Sequence, residues 1–219
     1  MSTAPRLAAV TNAAMAALAL FAVFVSSGCE DERDPIFNAT VPPRGDAQRQ
    51  EIEAEIAELA NYRKLSDAES TKRYHDAKDK LISRGAAIEN QLIEALLGNR
   101  DWGIRLGVVD VLKGTGTRNA IEPLIATLVD PEPLVALNAE YLLQGMTKHR
   151  EIPEAGKPAG ANGLPPVPVR DPKVLALDAE EKLWATWHRE HSEKLRSSWA
   201  RWWAANKTQV KVETQGKVE

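Results

Sequence analysis

The chain has 219 residues, with 28 Lys and Arg against 31 Asp and Glu, and one cysteine. A net charge of −3 with no basic block gives no electrostatic support for nucleic-acid binding or for a polybasic hold on anionic lipid. A lone cysteine excludes an internal disulfide, so packing alone must hold the fold.

The N-terminal segment comes first. Arg6 is followed by Leu7 to Val25, apolar apart from Thr11 and Asn12, and no acidic residue precedes Glu30. A positive end, an apolar run and then small residues make a targeting segment over residues 1–28, to be kept out of the fold argument. The stretch Val25-Ser26-Ser27-Gly28-Cys29 resembles the lipobox of bacterial lipoproteins, with Ser26 standing where Leu or Val is usual. An ordinary secretory signal and an uncleaved transmembrane anchor are the alternatives for this run. The lipobox resemblance implies that Cys29 becomes the first mature residue and carries a diacylglycerol thioether, with its freed amine open to acylation. Each buried methylene contributes about 0.8 kcal/mol, so two or three acyl chains hold almost permanently. Glu30 rather than Asp follows the cysteine. By resemblance to enterobacterial sorting, this favours the periplasmic face of the outer membrane over the inner membrane.

Loss of residues 1–28 removes one basic and no acidic residue, taking the charge from −3 to −4. Residues 29–45 are charged, contain three prolines and few apolar residues, and predict a flexible tether. A chain of that length spans roughly 20–25 Å root-mean-square.

Helical spacing then takes over, across residues 46–150. Ile52, Ile56, Leu59 and Tyr62 predict an amphipathic helix over residues 47–64. Ser66 or Asp67 suits the cap of a second helix, with Glu69 in its first turn. That helix carries Tyr74, Ala77 and Leu81 and stops at Gly85. A period of 31 residues follows: Ala77, Val108 and Ala139 share it, as do Leu81, Leu112 and Leu143, and Gly85 with Gly116. The helices between match as well, Ile88-Glu89 against Ile121-Glu122. The turns are Gly98-Asn99-Arg100-Asp101 and Asp130-Pro131-Glu132-Pro133, with Pro123 and Pro133 at helix starts.

The run Ala120-Ile121-Glu122-Pro123-Leu124-Ile125, with Leu128, the second turn, Val135 and Ala139, resembles a short HEAT repeat of the phycobilin-lyase type. Ile104-Arg105 with Val108 and Leu112 is similar to the second helix of the unit before it. Ala136 replaces the arginine that Arg105 supplies there. The resemblance covers roughly residues 67–147. It implies an all-α fold, an α-α superhelix of the HEAT or armadillo-like solenoid kind. About three helical hairpins stack on nearest neighbours, and a long C-terminal helix caps them. It implies no chemistry, and with one cysteine committed to lipid no bilin-handling role.

Residues 151–172 contain six of the thirteen prolines and three glycines, and predict a loop, extended where Leu164-Pro165-Pro166-Val167-Pro168 runs. Asp171-Pro172 reads as a helix start, and residues 173–206 as a helix holding five of the six tryptophans. Leu177, Trp184, His191, Leu195 and Trp202 fall within about 40° of one direction, flanked by Trp187 and Trp199. The ending Trp199-Ala200-Arg201-Trp202-Trp203 resembles the Trp-rich closing helix found after HEAT units in envelope proteins of some environmental bacteria. Indoles capping the last repeat is one reading. A ligand platform is a second, with Trp203, about 100° off the stripe, as its exposed ring, and interfacial contact with lipid is a third. Residues 207–219 form a polar tail.

No catalytic constellation, metal site or cofactor motif assembles. His188 and His191 are three apart rather than four, and Lys113-Gly114-Thr115-Gly116 is a helix stop rather than a phosphate loop. The expectation is a non-catalytic, lipid-anchored envelope scaffold binding an unidentified envelope protein. Its candidate contacts are Asn99, Arg100, Trp102, Arg105, Glu132 and Asn138. The alternative is a module reading carbohydrate or peptidoglycan through the C-terminal tryptophans.

Overall fold

The computed structural model describes residues 44–169 and 179–212. Cys29 with the segment 1–28, the tether up to residue 43, the Asp171-Pro172 helix start, Leu177 and the tail beyond residue 212 lie outside the described residues. Among the described residues the α-helices are α1 (Arg44–Glu58), α2 (Ala68–Ser83), α3 (Glu89–Gly98), α4 (Trp102–Thr115), α5 (Ile121–Thr127), α6 (Pro133–Thr147) and α7 (Ala179–Asn206), with no strand. Helix α1 pairs with α2, α3 with α4 and α5 with α6. The first helices α1, α3 and α5 pack in succession, and so do the second helices α2, α4 and α6. Helix α7 packs on both helices of the last pair. The fold is all-α: three stacked helical hairpins with a long C-terminal helix on the third.

Local chemistry explains each boundary. The expected helix over 47–64 begins at Arg44, inside the stretch assigned to the tether, and tightens into a 3-10 turn at Leu59–Lys64. Asp67 caps α2 by accepting the Ser70 amide at 2.7 Å, and Asp101 caps α4 by accepting the Gly103 amide at 2.8 Å. Pro133 opens α6 in the first turn, where its missing N–H costs nothing. The repeated glycines serve different needs: Gly85 has φ +64°, whereas a Cβ at Gly116 would meet the Leu112 carbonyl oxygen at 2.6 Å.

The period is a packing register. Ala77, Val108 and Ala139, with Leu81, Leu112 and Leu143, are each at most 4% exposed, at matching places in α2, α4 and α6. One hairpin cannot bury its own apolar face, so each layer is covered by the next. Polar ties cross the layers beside this core. The buried Glu89 of α3 accepts from the Thr117 amide and, at 2.8 Å, from the Thr117 hydroxyl. Its repeat counterpart Glu122 on α5 accepts from Trp203 Nε1 of α7 at 3.3 Å. Helix α7 thus takes the contact that a further repeat would supply.

Candidate functional site

The site is built by the chain turning back on itself. Lys148, with φ 58°, ends α6 in a left-handed conformation and sends residues 150–169 back along that helix. Ile152 and Leu164 are buried and anchor this segment. Asn162 donates to the Glu151 carbonyl at 2.8 Å and its side-chain oxygen accepts the Leu164 amide at 2.9 Å. Lys194 Nζ donates to the Gly163 carbonyl at 2.7 Å, and Trp187 Nε1 to the Pro165 carbonyl at 3.2 Å, both from α7. Prolines suit such a path, because they carry no N–H that would need a partner.

Between α6, this return loop and the first turns of α7 lies a cleft of about 450 Å³. Leu134, Leu137, Ile152, Val167 and Trp184 give it apolar walls. Tyr141, 58% exposed, and Val169, 70% exposed, stand beside them. Its polar members are Glu140, Gln144, Arg150, Glu154, Glu180 and Glu181. The volume falls in the range of about 300–1,000 Å³ usual for binding clefts.

Two carboxylates behind the cleft behave oppositely. Glu140, 1% exposed, accepts from Gln144 Nε2 at 2.9 Å and from Trp199 Nε1 at 2.6 Å. Burial raises its carboxyl to about 7, against the pull of those two donors. For Glu151, burial pushes upward too. Donors Ser198, His149 and Asn162 outweigh it and hold the carboxyl below its ordinary value. This trio is not an activated hydroxyl. His149 Nε2 bonds Glu151 at 2.9 Å, and Ser198 donates to the other oxygen of the same carboxylate, so the hydroxyl proton goes to Glu151 and not to the imidazole. The His149 ring instead stacks on Trp202 at 3.9 Å.

The residues picked from the sequence do not converge on this cleft. Arg100 is exposed on the α3–α4 turn. Asn99 accepts the Asp101 amide at 2.8 Å, and Glu132 caps α6. Trp102 is half-buried, edge-on to Tyr62 at 6.2 Å. Arg105, expected on an exposed face, is 8% exposed. Its guanidinium makes two 2.7 Å bonds to Asp130 and also reaches the carbonyls of Asn99 and Arg100. The reason is that it joins two hairpin turns whose carbonyls and carboxylate face inward.

Asn138 belongs to a polar ladder across the second helices. It accepts from Lys113 at 3.4 Å, and Lys113, Lys78 and Tyr74 all donate to Asp110. Burial works to raise the Asp110 carboxyl, and these donors hold it below its usual value. Trp203, expected as an exposed ring, is 4% exposed, with the Arg118 guanidinium 5.0 Å from its ring centre. Helix α7 lies against two helices rather than one, so its buried arc is wider than a single stripe. His188 is buried too, and its Nε2 donates to the Leu128 carbonyl at 2.8 Å.

Sequence reasoning missed Glu140, Tyr141 and the return-loop side of the site. The one available signal was an acidic residue, Glu140, beside Ala139 on the core face of α6. Among the described residues no group of three His, Cys, Asp or Glu side chains could hold a metal ion, and no helix is long and apolar enough to cross a membrane. No family model, curated protein or solved structure matches the chain.

Proposed function

We propose that this chain is a bacterial envelope lipoprotein, anchored through Cys29, that works as a non-catalytic interaction scaffold built on HEAT-like repeats. Its protein partner docks in the cleft between α6, the 150–169 loop and α7. The observation that carries this reading is the exposure of Tyr141 and Val169 beside an apolar cleft of about 450 Å³. These are the two most exposed large apolar side chains among the described residues, and both line this one cleft. An aromatic ring at a cleft edge is also a typical binding hot spot. The anchor is supported by Cys29 behind its apolar run and small residues.

A photo-crosslinking residue placed at Tyr141, in native membranes, tests the docking site. It is expected to trap a discrete protein adduct that the same residue at exposed Leu97 on α3 does not. Equal adducts at both positions, or none at Tyr141, reject the cleft as the contact. Cys29→Ser is expected to move the chain out of the detergent-extracted membrane fraction and to abolish lipid labelling. Unchanged labelling rejects the anchor.

A further inference from the structure

We infer that the cleft takes a short peptide segment carrying a lysine or arginine between apolar side chains. The inference rests on the cleft being the docking site and adds the chemistry of its occupant. Exposed Glu154, Glu180 and Glu181 line it, with the buried Glu140 behind them, against one guanidinium, Arg150. That guanidinium lies 3.5 Å from Glu154, so a lining carboxylate already offsets its charge. Glu181 is exposed, so it attracts a cation without first being stripped of water.

The apolar walls ask for something else from the same ligand. Leu134, Leu137 and Val167 offer partly exposed surface that only aliphatic or aromatic groups fill with gain. A lysine or arginine meets both demands, because its methylene stem lies along apolar surface while its charged end reaches the carboxylates. The Tyr141 ring adds a face for the cation. An acidic segment meets like charge, an anionic lipid headgroup meets the same repulsion, and a sugar leaves the apolar walls uncovered.

The test uses the full lipidated chain in zwitterionic lipid nanodiscs, with empty nanodiscs as blank. Three fluorescein-labelled peptides of equal length serve as probes: leucine alternating with lysine, leucine with glutamate, and serine with lysine. The leucine–lysine peptide is expected to bind at least about tenfold tighter than either of the others, and more weakly at high salt. In the double variant Glu154→Lys with Glu181→Lys, the preference is expected to invert toward leucine–glutamate, which a merely unfolded protein would not do. Tyr141→Ala is expected to weaken leucine–lysine binding, tying the signal to the cleft. Equal binding of the leucine–lysine and leucine–glutamate peptides, or an unchanged preference in the double variant, overturns the inference. If the Tyr141 crosslink persists in membranes while no charge preference is seen, the charge argument fails and the scaffold reading stands. Loss of both rejects both.

Discussion

Trp199 Nε1 donates to the Glu140 carboxylate at 2.6 Å across the contact between α7 and α6, and both side chains are out of solvent. This bond places an ionisable group inside the joint that holds the C-terminal helix. It also gives the joint a pH dependence.

The sign follows from the direction of the shift. Burial raises the folded Glu140 carboxyl from 4.5 to about 7, so between those values the native state holds a proton that the unfolded chain has released. Stability from this group is therefore greatest at the acid end of that window and falls as pH rises, by up to about 3 kcal/mol. Urea unfolding of the parent and Glu140→Gln near pH 4.5 and just above 7 checks this. The variant is expected to show a flatter dependence, and identical slopes would rule Glu140 out as the source.

Glu151 contributes the opposite limb. Its folded value is depressed, so its stabilisation is present at neutral pH and is lost as pH falls below the ordinary carboxylate range. Glu151→Gln is expected to cost about 1–2 kcal/mol at neutral pH, and the difference from the parent is expected to shrink in acid. A difference that stays constant with pH would assign the loss to packing instead.

Arg105 and Asp130 form a buried, two-bond ion pair between hairpin turns. Arg105→Met is expected to destabilise by about 3 kcal/mol, because it leaves a buried carboxylate without its partner. Adding Asp130→Leu is expected to recover part of the loss. The double-mutant cycle, read by denaturant unfolding, gives a coupling near zero if the pair is not formed in solution.

Trp102 and Trp203 are expected to report on folding. Trp203→Ala removes a buried ring, its bond to Glu122 and its contact with Arg118, and is expected to cost about 3 kcal/mol. Trp102→Ala, against the edge of Tyr62, is expected to cost about 1–2 kcal/mol. Thermal melts measure both. A Trp203→Ala melt equal to the parent would show that the ring is not part of the joint in solution.

The hairpin layers were legible because the rules that set them are local. Helical spacing, the Asp67 and Asp101 caps and the Pro133 start involve residues within one or two turns of each other. The 31-residue register of Ala77, Val108 and Ala139 repeats because each layer packs on its neighbour in the same way. The pairing of Ile88-Glu89 with Ile121-Glu122 was visible as a match, though not its use. Glu89 and Glu122 each reach forward to the following layer, Thr117 in one case and Trp203 in the other.

The amino-acid order by itself determined an all-α chain of stacked hairpins followed by a long helix, since apolar period and capping are encoded within single elements. Only the tertiary structure decided which polar and aromatic groups were consumed. Arg105 turned inward because two turns met around Asp130, and Trp203 was covered because α7 settled against two helices at once. The cleft beside Tyr141 exists only because residues 150–169 return along α6, held by Lys194 and Trp187 from α7. Contacts between groups this far apart along the chain depend on the path of the whole backbone, which no spacing rule contains.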